Sequence, residues 1–244
     1  MSETIRIAMW SGPRNISTAM MRAFENRADC FVADEPFYAA YLAETGLDHP
    51  MREAVLASQP QDGAAVADAL VTRTELGRTV FYQKHMTQHM TPAMPLDWMS
   101  DVRSAFLIRD PASVLASYAK KHDGASLEAI GLPRQAELFD READRLGHAP
   151  PVVEGRDVLS DPGAMLEKLC AALGIAFDPA MLRWPAGPRD SDGVWAPAWY
   201  DAVERSTGFG APPEPVDPAT LPDALRRLAD AAQPFYERLR AHRL

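Results

Sequence analysis

"WSGPRNISTAM", residues 10–20, follows the apolar run Ile5-Arg6-Ile7-Ala8-Met9, and its reading decides the fold. A strand that ends in Ser-Gly-Pro and turns at once into a hydroxyl-rich helix start has the form of a phosphate loop. Gly12 permits a tight turn. Asn15, Ser17 and Thr18 are candidates to cap the helix that follows. Free N–H groups at that helix start, with the positive end of its dipole, attract an anion, and Arg14 adds a forked cation. Counted from Gly12, the nucleotide-hydrolase pattern requires Gly, Lys and a hydroxyl residue where this chain has Ser17, Thr18 and Ala19. An ordinary ATPase or GTPase is therefore disfavoured. Taken alone, the loop reads equally well as a plain strand-to-helix turn closed by a Ser or Thr cap.

Outward from the loop, short apolar runs at 5–10, 30–33, 79–83, 104–108 and 151–154 alternate with helical patterns at 17–27, 62–75, 111–121, 126–145 and 161–173. Apolar runs without clean alternation suit strands buried on both faces of a parallel sheet. The alternation of strand and helix predicts an α/β fold, three αβα layers around a mostly parallel sheet, as a single domain over 1–244. Segment 184–216 is rich in Pro, Gly and aromatic residues and predicts a long loop with one helical turn. Loops of that length tend to be lids or binding segments. A C-terminal helix over 220–242 sets Leu225, Leu228, Ala232, Phe235 and Leu239 on one face, with a kink at Pro234 and no chemistry.

The 244 residues carry a net charge of −9 and a pI near 5.2, which argues against a general binder of nucleic acid or membrane surfaces. An anionic ligand must then be held by local Arg, Lys and backbone N–H groups. Cys30 and Cys170 are too few for a disulfide framework or a cysteine zinc site and read as buried thiols. The N-terminus lacks the apolar core of a signal peptide, so a cytoplasmic location is expected. His85 and His89 have the i, i+4 spacing of a metal pair, but Met86 replaces the zinc-protease Glu and no third ligand is evident; no metal is expected.

A second anion site is written in "AFLIRDPASVLASYAKKH". Arg109 stands at the end of an apolar strand, where open α/β sheets bind ligands. Asp110-Pro111 opens a helix, and Ser117 comes two turns later. The alternative for Arg109 is a structural ion pair. With both motifs on the page, the chain resembles the sulfotransferases that use 3′-phosphoadenosine 5′-phosphosulfate. "GPRNIST" is similar to that family's 5′-phosphosulfate loop, with Arg14, Ser17 and Thr18 in matching places. Arg109-Asp110-Pro111 with Ser117 eight residues on is similar to its 3′-phosphate motif. "VFYQKHMTQHM" resembles the segment that carries the family's catalytic His, with Lys84 and His85 nearest the position and the Thr absent. "VVEGRDVLSDPGAMLEKLCAALGI" resembles a later strand, turn and helix, so the likeness runs from about residue 5 to 175.

The resemblance implies a P-loop nucleoside-triphosphate-hydrolase-like fold, a divergent bacterial branch, and sulfuryl transfer to a hydroxyl or amine of a small-molecule acceptor without a metal. Gly12, Arg14, Asn15, Ser17 and Thr18 then take the 5′ side, and Arg109 and Ser117 the 3′-phosphate. His85 is the base, with His89 in reserve, and Lys84 aids the leaving phosphate or lies on the surface. Two departures stand out. Ile16 replaces a residue that is usually small, and the basic segment that closes over the 3′-phosphate has only Arg189 and Gly193 as counterparts. "ADEPFYAAYL" brings Asp34, Glu35, Phe37, Tyr38 and Tyr41 to the same sheet edge as candidate acceptor contacts; Glu35 either binds a cationic acceptor, acts as a base, or is a favourable charge at a helix start. Trp195, Trp199, Tyr200 and Phe209 either form an aromatic lid, pin the loop to the core, or belong to a homodimer interface. Two other functions stay open: a small-molecule kinase, which lacks its phosphate-loop Lys here, and a non-catalytic binding protein, favoured by Ile16.

Overall fold

The computed structural model describes residues 4–120 and 124–244. Five strands, β1 (Ile5–Ser11), β2 (Cys30–Asp34), β3 (Val80–Met86), β4 (Arg103–Ile108) and β5 (Val152–Glu154), form one parallel sheet in the order β2-β3-β1-β4-β5. Twelve helices lie among the described residues: α1 (Ser17–Glu25), α2 (Tyr38–Thr45), α3 (Arg52–Ser58), α4 (Gly63–Thr72), α5 (Pro111–Tyr118), α6 (Leu127–Ile130), α7 (Leu132–Leu146), α8 (Gly155–Ser160), α9 (Pro162–Ala172), α10 (Ala196–Trp199), α11 (Asp201–Glu204) and α12 (Asp223–Arg240). Side-chain alternation along β1 builds the three layers. Ile7 and Met9 pack under α1 and α9, while Ala8 and Trp10 pack under α4, α5, α7 and α12. Each large apolar side chain buried this way contributes about 1.5–3 kcal/mol.

The expected α/β architecture stands, and three elements differ from the sequence reading. β3 runs on to Met86 rather than ending at Gln83, because Lys84 and His85 are both buried. The helix expected over 126–145 is two, α6 and α7, split at Gly131. Gly131 has a left-handed φ of 69°, and a Cβ there would lie 2.5 Å from Thr87 Oγ1, so only glycine fits. Segment 184–216 holds two single helical turns, α10 and α11, rather than one. Helices α2, α3 and α8 were not expected. Lys121, the last residue of the helix expected at 111–121, lies outside the described residues.

The apolar face of α12 packs as expected, joined by Ala229 and Tyr236. Pro234 sits inside that continuous helix. Both cysteines are free and buried, which raises the Cys30 thiol to about 12 and the Cys170 thiol to about 11 and makes them inert. Among the described residues no helix is long and apolar enough to cross a membrane.

Candidate functional site

The carboxyl ends of β1, β2 and β3 open onto a cavity of about 910 Å³, within the size range of small-molecule sites. Arg14, Asn15, Ser17 and Thr18 line it on one side, and Glu35, Tyr38, Lys84 and His89 on the other. Asn15, Gln88 and His89 each bring to its lining a residue with a buried polar atom that has no partner: Asn15 Oδ1, Gln88 Oε1 and His89 Nδ1.

The phosphate loop is built differently from its sequence reading. The helix cap falls on Ile16, which makes no side-chain bond, so none of Asn15, Ser17 and Thr18 caps α1. Asn15 Nδ2 instead donates to the carbonyl of Leu107 at 2.9 Å and ties the loop to β4. The Ser17 N–H turns back to the Asn15 carbonyl. The N–H groups of Thr18 and Ala19 find no acceptor among the described residues, which leaves the helix start open to an anion. Gly12 serves close packing rather than an unusual turn: a Cβ there would sit 2.3 Å from the Ile130 carbonyl oxygen. The left-handed turn belongs to Arg14, with φ 57°.

Arg14 joins the two motifs. Its Nε donates to Ser117 Oγ at 3.0 Å, and its carbonyl accepts from Arg109 Nη1 at 2.5 Å. Holding a non-glycine residue in this region costs about 1–3 kcal/mol, and the Arg109 bond helps to hold it. Asp110 caps α5 through the Ser113 N–H at 2.8 Å, with Pro111 in the first turn, as expected. Among the described residues neither Arg14 nor Arg109 pairs with a carboxylate, so Arg109 is not a structural ion pair. Burial lowers the pKa of both, and for Arg109 the charge of Arg14 adds to the effect. Two half-buried cations outside any ion pair, with Asp110 and Glu154 acting on Arg109 only from a distance, make a ready anion site. Arg109 and Gly12 face a narrow cleft on the far side of the loop, away from the main cavity.

Lys84 is held by a polar network. Its Nζ donates to Asp34 Oδ1 at 2.8 Å, Glu35 Oε1 at 2.5 Å and Tyr200 OH at 2.8 Å, so all three donors are engaged. Burial alone would lower its pKa, but Asp34 and Glu35 outweigh that and raise it. Lys84 is thus neither on the surface nor free to meet a leaving phosphate; it positions Glu35. Glu35 lines the cavity with a left-handed φ of 42°. Burial raises its carboxyl pKa against the opposing pull of Lys84. That moves a carboxylate toward useful basicity near neutral pH.

His85 does not reach the cavity. It points to the opposite face of the sheet, where its ring stacks on Trp10 at 4.4 Å beside Trp98 and Phe37. It is 1% exposed, its Nε2 meets Gln83 Oε1 at 3.2 Å, and burial pushes its pKa down to about 3. These surroundings leave His85 outside the cavity lining and do not favour it as the general base expected from the sequence. His89 lines the cavity instead, stacked on Tyr38 at 4.5 Å and Tyr41 at 4.8 Å. Burial, then the nearby His49 and Lys84, hold its pKa far below the usual value, so it is neutral.

Phe37 and Trp195 also fall outside the cavity. Phe37 packs in the aromatic box around His85. Trp195 is 1% exposed, and its Nε1 donates to Tyr200 OH at 3.1 Å. Tyr200 OH in turn meets both Asp34 oxygens, and the Gly193 N–H donates to Asp34 Oδ2 at 3.0 Å. The aromatic segment is therefore pinned through Asp34, with only Trp199 and Tyr200 reaching the cavity wall. Phe209 packs edge-on against Trp184. Arg189 lines a separate hollow of about 890 Å³ at the β2 edge and bonds to the Pro185 carbonyl, so it does not close over the phosphate loop.

Sequence reasoning missed Gln88 and Arg134 in the cavity wall. Neither belongs to a recognisable pattern, and both arrive there by tertiary packing.

The family model described as "Sulfotransferase domain" matches residues 5–243. A curated relative, "Branched-chain-amino-acid aminotransferase-like protein 1" from Arabidopsis thaliana, is 36% identical over 242 residues, 99% of this chain and 43% of that protein. The chain thus spans less than half the length of this relative. Two solved structures share its fold. The "Sulfotransferase Domain from the Synechococcus PCC 7002 Olefin Synthase" has a TM-score of 0.58 at 17% identity, covering 96% of this chain and 95% of that one. The "Sulfotransferase Domain from the Curacin Biosynthetic Pathway" has a TM-score of 0.54 at 15% identity, covering 96% and 99%.

Proposed function

Because the chain belongs to the sulfotransferase domain family, we propose that its cavity transfers a sulfuryl group from 3′-phosphoadenosine 5′-phosphosulfate to a small-molecule acceptor. The observation that carries this reading is an uncapped helix start in the cavity wall beside Arg14, a cation in no ion pair among the described residues, whose carbonyl is held by Arg109. These groups suit a dianionic donor end. Arg14, Ser17 and Thr18 take the 5′ side, and Arg109 with Ser117 takes the 3′-phosphate. Arg14, bonded to Ser117, touches both halves. When bound, the donor supplies an activated sulfuryl group, and oriented cations and N–H dipoles stabilise the charge that builds on the departing phosphate.

Transfer forms the bond between acceptor and sulfur as the sulfur–oxygen bridge to the phosphate breaks. The electron pair leaves with the phosphate, and the acceptor proton goes to Glu35. Glu35 suits that task because it lines the cavity, is held by Lys84, and has a raised pKa. Neutral His89 lines the same cavity, stacked on Tyr38.

The test is sulfur-labelled 3′-phosphoadenosine 5′-phosphosulfate with a mixed panel of small alcohols and amines, in the presence of EDTA. Labelled product that survives chelation and falls at least 100-fold in Glu35→Gln is expected, in line with removal of a general base. Transfer that needs Mg²⁺ and uses ATP instead would move the chain to the kinase reading.

A further inference from the structure

The half of the cavity away from the phosphate loop has an uneven chemistry. Besides Arg14, its lining holds two strong cations among the described residues, and both are engaged. Lys84 is bound to Asp34, Glu35 and Tyr200; Arg134 gives Nε to the Met90 carbonyl and Nη1 to Glu137 Oε2 at 2.8 Å. Acceptors, by contrast, are left over. Among the described residues Glu35 Oε2 takes no hydrogen bond, and neutral His89, 3% exposed in the wall, keeps one ring nitrogen as an acceptor. The Asp48 and Glu128 carboxylates at the rim have no cationic partner among the described residues. Tyr38 and Tyr41 add aromatic rings.

We infer that this half of the cavity selects an amine-bearing acceptor, with Glu35 and His89 as its hydrogen-bond acceptors and the rim carboxylates as its electrostatic guide. This rests on the sulfuryl-transfer reading of the same cavity. An ammonium brings three donors and a positive charge and has no acceptor to satisfy, which matches the Glu35 carboxylate, the rim carboxylates and the π faces. A carboxylate or phosphate here would meet like charges and, among the described residues, no Lys or Arg without a partner. An alcohol brings one donor and no charge to set against these carboxylates. Glu35 takes the ammonium proton, so that the neutral nitrogen attacks sulfur; as the nitrogen–sulfur bond forms and the sulfur–oxygen bridge breaks, the second N–H proton passes to the departing phosphate.

The experiment titrates benzylamine, benzyl alcohol and benzoate into the full chain, alone and saturated with 3′-phosphoadenosine 5′-phosphate. Benzylamine is expected to bind at least about tenfold more tightly than benzyl alcohol, and benzoate the least. Glu35→Gln is expected to remove most of that preference. The double variant Asp48→Asn, Glu128→Gln changes only exposed side chains and is expected to reduce the preference about twofold, and less in high salt. Equal binding of the alcohol, tighter binding of benzoate, or a preference untouched by both variants overturns the inference. If the nucleotide fails to bind while the amine preference persists, the sulfuryl-transfer reading falls and the amine site stands. If the nucleotide binds and no amine preference appears, the amine site alone falls.

Discussion

Lys84 and His85 are neighbours in β3, each 1% exposed, yet their surroundings are opposites. Lys84 turns toward the cavity and meets two carboxylates and a phenol, which keep it charged. His85 turns the other way and meets Trp10, Trp98 and Phe37, which keep it neutral. The period of two along a strand separates them. The chemistry of a buried basic residue is thus set by which face of the sheet it occupies. In this chain the cavity face carries the candidate function, and the aromatic face carries only packing.

The widest gap between the two faces is expected in stability. Lys84→Met leaves Asp34 and Glu35 buried without their cation and should cost about 3–5 kcal/mol in urea unfolding. His85→Phe keeps the ring stack and leaves only Gln83 Oε1 unpaired, about 1–3 kcal/mol. Equal midpoints for the two variants would break the comparison.

Nucleotide affinity sharpens it. Arg14→Ala and Arg109→Ala should each weaken binding of 3′-phosphoadenosine 5′-phosphate by about 2–5 kcal/mol, as for loss of a hydrogen-bonded charge. His85→Phe should leave that affinity unchanged in the same titration, because its ring faces away from the cavity. A loss of affinity in His85→Phe would return the aromatic face to the site.

Acid titration isolates the contribution of His85 when wild type is compared with a variant, since His89 in the cavity shares its downward shift. His85 has a native pKa of about 3, whereas an unfolded histidine titrates at about 6.5. The unfolded chain therefore binds the proton first. The stability that His85 supports is complete above pH 6.5 and falls as the pH drops toward 3, by about 1.4 kcal/mol per pH unit. The raised carboxyls of Glu35 and Glu154 act in the opposite sense in the acid part of that range. The informative quantity is the difference between wild type and His85→Phe, which should lose this slope. The smallest effect is expected for Ser117→Ala, a loss of about 0.5–1.5 kcal/mol in nucleotide affinity, read in the same calorimetric series as the arginine variants.

Much of the fold was legible, for local reasons. Apolar runs without alternation marked all five strands, and Asp110-Pro111 marked the start of α5. The break at Gly131 was legible too, since Gly-Leu-Pro disfavours a continuous helix, but the amphipathic pattern on either side concealed it. Gly46, left-handed just after α2, was a helix-stop signal for an element that was not expected. The end of β3 was not legible, because Lys84 and His85 read as polar surface until β2 supplies Asp34 and β1 supplies Trp10.

The candidate site divides in the same way. Arg14, Ser17, Thr18, Glu35 and Tyr38 are close in sequence to recognisable turns and do line the cavity. The contact between Arg14 and Ser117 and the orphaned Gln88 and His89 atoms depend on elements far apart in the chain. Motif spacing carries no such information. Spacing also placed the base on His85, one residue from the strand face that reaches the cavity.

The central claim is that the loop at 10–16 and Arg109 hold the two phosphates of a sulfuryl donor. The most direct measurement is a calorimetric titration of the full chain with 3′-phosphoadenosine 5′-phosphate, with AMP and Mg·ATP as comparators and Arg14→Ala as control. Tight binding that requires the 3′-phosphate and is lost in Arg14→Ala is the predicted result. Equal binding of AMP, a preference for Mg·ATP, or an affinity indifferent to Arg14 would contradict the account and leave the family likeness as one of fold alone.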